Sequence, residues 1–136
     1  MKTYIKPNVS LSEYILHDNI YNLGIVKMPK IIAYDENNKI MIMEHIDGMN
    51  VSDNYGENND DTPPKIYDNI REIIKKLVDI NIDYIDITGY NFIIDKSNDI
   101  WIIDFEHAYI RKTNADPNKF ISKLLDGYNG WNPDFR

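Results

Sequence analysis

With 136 residues, 43% of them apolar, the chain is long enough to bury a core as one domain, and without cysteine it has no disulfide framework, thiolate metal site or cysteine nucleophile. A formal charge of −7 and a pI near 4.8 exclude a broad basic face for DNA or RNA. Lys2, Lys6, Glu13 and Asp18 break every early apolar run, so no signal peptide is read there, and no segment is long enough to span a bilayer. The expected location is the cytoplasm. The heavy use of Ile, Asn, Lys and Tyr suggests an AT-rich genome, and if that genome is viral the cytoplasm is the host's.

Ser10 and Glu13 are spaced as a capping box, and Leu11, Ile15, Leu16, Ile20 and Leu23 keep a helical stripe up to Gly24, which predicts a helix over 11–23. PKIIAYDENNKIMIMEHIDG then predicts two strands, 30–35 and 39–46, around the turn Glu36-Asn37-Asn38. Residues 52–62, SDNYGENNDDT, are acidic and Asn-rich and read as a solvated or disordered connection. Thr62-Pro63-Pro64 starts the longest periodic run, Ile66, Ile70, Ile73, Ile74, Leu77 and Val78, a helix ending near Asn81.

Strands over 92–94 and 100–103 flank the turn Asp95-Lys96-Ser97-Asn98. Last comes a helix over 118–125, with Asp116 as N-cap, Pro117 in its first position and Gly127 past its end. In the turn-rich tail behind it, Trp131 and Phe135 read as packing residues. Helices beside antiparallel hairpins indicate an α+β fold, with the acidic stretch 51–62 dividing residues 1–50 from 63–136.

The candidate chemistry lies in DITGYNFIIDKSNDIWIIDFEHA, residues 86–108. Asp86 and Asn91 are spaced D-x-x-x-x-N before the second hairpin, and Asp104 follows its last strand. Pairing the strands brings Asn91 and Asp104 to the same end, with Asp86 on the preceding loop. Few, hard oxygen ligands of this kind suit Mg²⁺ held jointly with substrate phosphates. His17, His45 and His107 share no metal-ligand spacing, and adjacent residues such as Glu44-His45 point to opposite faces of a strand.

These motifs resemble the protein-kinase-like fold, whose catalytic loop ends D-x-x-x-x-N and whose metal-binding Asp heads D-F-G after a two-strand hairpin. DITGYN followed by IIDFEHA is closest to the small atypical branch, the Bud32 and Rio-type kinases and the aminoglycoside or fructosamine phosphotransferases. The resemblance covers roughly residues 8–108 and implies a minimal kinase-like domain that binds Mg²⁺ and ATP or another purine nucleotide. By it, Asp86 is the base for an acceptor hydroxyl and Asn91 and Asp104 hold the metal. Glu44, His45 and Ile46 offer backbone groups to the adenine, and the helix around Glu13 stands where the family has its helix C. Lys6 is then the candidate for the strand-borne lysine that faces Glu13; read locally, Glu13 is a capping-box residue and Lys6 is solvated.

The sequence departs from the family in four places. No glycine-rich loop precedes the first helix, and ten residues are too few for the family's first three strands. Tyr84-Ile85 replaces His-Arg before Asp86, and Asp104-Phe105-Glu106 replaces D-F-G. A chain so built is expected to be a phosphotransferase, or a pseudokinase that binds nucleotide or protein without chemistry, or a fold completed by a second copy or a partner that supplies the absent strands.

Overall fold

The stripe that begins at Leu11 forms a helix with the expected bounds. In the computed structural model, which describes residues 2–135, α1 spans Leu11–Leu23. Ser10 Oγ accepts from Glu13 N at 3.1 Å, and Gly24 closes the helix at φ 65°, a left-handed conformation that costs glycine nothing. The reciprocal half of the capping box is not made, because the Glu13 side chain turns to Lys6 instead.

Beside α1 lies an antiparallel sheet of β1 (Thr3–Lys6), β2 (Ile31–Asp35) and β3 (Ile40–Glu44), in the order β1-β3-β2. The expected hairpin is present, shortened at 39–46 to five residues, and it gains a strand from the first residues of the chain. Tyr34 stacks on Tyr14 of α1 with ring centroids 4.4 Å apart, over a small cluster of Val9, Met41 and Met43. Strand β1 is an edge, and its Tyr4 and Ile5 are exposed.

The second half holds β4 (Gly48–Asn50), α2 (Val51–Tyr55), α3 (Pro64–Val78), β5 (Ile82–Asp83), β6 (Phe92–Asp95), β7 (Ile100–Ile102), β8 (Tyr109–Ile110) and α4 (Lys119–Leu125). One sheet runs β4-β6-β7, and β5 pairs with β8 as a short ribbon. Two expectations are corrected here. The acidic stretch is not a disordered connection: Asn50 Oδ1 accepts from Asp53 N at 2.8 Å, α2 starts there, and Val51 and Ser52 are buried, which anchors the stretch. The cap of α4 is Asn118, whose Oδ1 accepts from Phe120 N at 2.9 Å, rather than Asp116. Asn118 is fixed in that place because its own N–H is taken by the buried Asp83 carboxylate.

Along α3, Tyr67, Ile70, Ile74 and Leu77 fall on one face and pack with Phe92, Ile102, Phe105, Ile121, Leu124 and Trp131. Each such fully buried side chain contributes roughly 1.5–3 kcal/mol. Ile20 of α1 and Met28 join the same cluster, and Ile102 N donates to Lys27 O at 3.0 Å. The first helix and the second hairpin therefore share a core, which sets the sheet's lysine strand against the end of β7. Among the described residues no helix is long and apolar enough to cross a membrane.

Candidate active site

Strand register brings the candidate residues together. Phe92 pairs with Ile102, and one step further Ile103 N donates to Asn91 O at 3.0 Å, so Asn91 and Asp104 stand side by side at one end of the hairpin. Gly89, in the turn that carries Asn91, is closely approached by α2: a Cβ there would fall 2.1 Å from Ser52 Oγ. Only glycine lets the helix and the loop come this near.

Asp104 adopts φ 64°, a conformation that few residues other than glycine take and that Asp tolerates best with Asn. Its Oδ1 accepts from Lys6 Nζ at 2.9 Å and from Glu106 N at 3.2 Å, and Lys6 Nζ also donates to Glu13 Oε2 at 2.6 Å. Lys6 is thus not a solvated lysine, and Glu13 is its partner rather than a capping-box residue. Burial pulls the Lys6 ammonium down, but its bonds to Glu13 and Asp104 outweigh that and hold it above the ordinary lysine value. Asp86 is half-buried; that burial, and then the Asp104 charge, push its carboxyl up, against a bond with Asn91 that pulls it down.

Lys6, Glu44, His45, Ile46, Asn91 and Asp104 all line one cavity of about 470 Å³. Glu13 lies behind Lys6, and Asp86 is off the cavity wall. The hinge-like residues are not equivalent. Glu44 N donates to Lys30 O and His45 N to Lys2 O, whereas Ile46 N makes no hydrogen bond among the described residues and stays available to a ligand. Sequence reasoning missed Tyr4, Gly48, Asn50, Asp53 and Tyr90 on the same wall. The Asn50-to-Asp53 cap was the signal for two of them, hidden in an acidic stretch.

Tyr84, in the place of the family's histidine, was also missed. Its hydroxyl donates to Ile103 O, next to Asp104, and its ring meets Phe105 edge-on at 5.3 Å. Phe105 meets His17 of α1 at the same centroid distance. One stack of rings therefore ties α1, the Asp104 segment and the loop of Asp86.

The donor set fits a divalent cation shared with a substrate. Asn91 Nδ2 is spent on Asp86 O at 2.9 Å, which leaves the amide oxygen as the group a cation can use. Among the described residues Asp104 Oδ2 has no hydrogen-bond partner. No group of three or more His, Asp or Glu side chains among the described residues could hold a metal. Two oxygens on one wall suit Mg²⁺, which keeps waters and takes its other ligands from phosphates.

A lysine paired to a helix-borne glutamate, a hinge-like strand, and then Asp, Asn and Asp around a second hairpin define a kinase-like fold. The chain belongs to the RIO domain family, whose model matches residues 4–123. Among solved structures it is similar to the kinase PK-1 of Cydia pomonella granulovirus, with 20% identity and a TM-score of 0.61 over 85% of this chain and 46% of that one. At that identity the likeness is one of fold, and this chain spans about half the length of the viral kinase. No curated protein matches the chain.

Proposed function

We propose that the chain is an ATP- and Mg²⁺-dependent phosphotransferase acting on a hydroxyl acceptor. The observation that carries this reading is the meeting of Lys6, Asn91 and Asp104 on one cavity beside the free N–H of Ile46. Ile46 N and the adjoining backbone receive the purine edge. Asn91 and Asp104 are the residues that hold the cation, which when bound neutralises phosphate charge. Lys6, kept charged by Glu13, then bonds phosphate oxygens rather than Asp104. The Asp86 carboxylate takes the acceptor's proton as the hydroxyl oxygen bonds to the γ-phosphorus, and the bond to the bridging oxygen breaks to leave ADP.

ATP with Mg²⁺ is expected to raise the melting temperature, and Asp104→Ala to remove that shift. Transfer of a labelled γ-phosphate should fall about 10²–10⁴-fold in Asp86→Asn, the usual worth of a positioned base. No shift at millimolar ATP would sink the reading.

A second reading, a nucleotide-binding module without transfer, is favoured by one feature. β1 is the outermost strand, so among the described residues no further strand stands beside it to cover the phosphates. A melting shift without any label transfer from the wild type would establish this reading in place of the first.

A further inference from the structure

Residues 84–88, which carry Asp86, lie outside any helix or strand, so their carbonyls need partners from elsewhere. Ile85 O accepts from Ile87 N and from Asn132 Nδ2, both at 2.8 Å. Asp86 O accepts from Thr88 N at 3.1 Å and Asn91 Nδ2 at 2.9 Å, and Ile87 O accepts from Asn132 N at 2.8 Å. Asn132 thus holds the backbone on both sides of Asp86. It is 2% exposed, and its Oδ1 accepts from Asp134 N at 3.1 Å, which fixes the end of the amide that faces Ile85.

The tail that delivers Asn132 is itself anchored. Trp131 N donates to Asn59 Oδ1 at 3.0 Å, and Arg71 Nη1 and Nη2 donate to Tyr128 O at 3.1 Å and Asn129 Oδ1 at 2.7 Å. A segment that reads as packing from sequence forms the floor of the loop.

We infer that Asn132 is a positioning residue: by gripping the main chain before and after Asp86 it sets where that carboxylate stands against the acceptor hydroxyl. This rests on the phosphotransferase reading. A displacement near 1 Å at a reacting group costs on the order of 10²-fold in rate. Asn132→Asp keeps the size of the side chain but turns an oxygen on Ile85 O where a donor stood. Asn129→Ala, which loosens the tail at Arg71 without touching the loop, is the control for stability alone.

Both variants and wild type are assayed for label transfer and for amide exchange at Ile87 and Thr88. Asn132→Asp should lower kcat about 10–100-fold with KM for ATP changed less than about threefold. The two amides should exchange at least about tenfold faster, since their bonds lie within the gripped turn. Asn129→Ala should lower Tm and leave kcat and exchange near wild type. If Asn132→Asp does not fold, Asn132→Ser replaces it, keeping the backbone bond to Ile87 and losing the one to Ile85. Kinetics and exchange no different from those of Asn129→Ala would overturn the inference. A wild type that transfers nothing defeats the phosphotransferase reading instead, and exchange unchanged from wild type at Ile87 and Thr88 then overturns this one separately.

Discussion

The candidate site has two walls of different build: the sheet, which lines the cavity, and the loop of Asp86, which stands off it. The sheet wall stands on a small cluster, Val9, Met41 and Met43, and its outer strand exposes Tyr4 and Ile5. Its polar tie to the opposite side is Lys6, bonded to Glu13 and Asp104. The loop wall lacks regular structure at residues 84–88, yet each carbonyl from Ile85 to Ile87 is bonded, and a buried carboxylate, Asp83, lies just before it. The loop is thus held from outside on both flanks of Asp86, while the outer strand of the sheet pairs along one edge alone.

The loop wall should break most severely at Asp83. Its carboxylate accepts from Arg111 Nη1 at 2.6 Å, Asn118 N at 2.9 Å and Tyr109 Oη at 3.2 Å, which ties β5, β8 and the start of α4 together. Asp83 is buried and Arg111 is largely covered, with side chains 1% and 9% exposed. Asp83→Ala leaves the guanidinium uncompensated and should cost about 3–5 kcal/mol in urea unfolding. Adding Arg111→Met should restore part of that loss, since no lone charge then remains. A single-variant loss under about 1 kcal/mol would show that this wall is no better held than the sheet.

Legibility in the sequence followed the same division, for physical reasons. Long periodic stripes declared α1, α3 and the two hairpins, because burying one face of a helix or strand forces a pattern. β1 left no such trace: three of its four residues are exposed, and its worth lies in pairing with β3. α2 buries two residues at its start and is otherwise acidic and open, so composition masked it. That Asn91 and Asp104 come to the same end of the second hairpin was legible, because both flank one local strand pair. The pairing of Lys6 with Glu13, seven residues apart, was legible through the family resemblance alone, since local pattern offered only a cap and a solvated lysine. The Asn132 grip and the Asp83 tie were not legible, since each joins residues far apart in the chain whose pairing only the fold creates.

A smaller effect is expected where the walls meet, at His17. Its Nε2 donates to Pro29 O at 2.8 Å, and burial, only partly offset by that bond, pulls the imidazole below its ordinary value of 6.5. The folded state therefore favours the neutral ring, and the unfolded chain holds the proton more tightly. The stability contributed by this group is fully present above the unfolded value and is lost as pH falls through the lowered folded one. Melting temperature should drop between neutral pH and about pH 5, and His17→Leu should flatten that part of the curve. A drop of equal size in the variant would assign the acid sensitivity to other groups.

The smallest effect separates a free edge from an occupied one. Ile5 is 60% exposed on β1, the outer strand of its sheet, so Ile5→Thr should change stability by no more than about 0.5 kcal/mol if the edge is bare. An unpaired strand edge is also a template for another strand. If a second copy pairs there, Ile5 is covered, and the substitution should lower Tm more at high protein concentration than at low, with a matching loss of dimer in light scattering. A concentration-independent Tm in both proteins, with a monomeric mass throughout, would leave the sheet wall open in solution and exclude a second copy as the occupant of that edge.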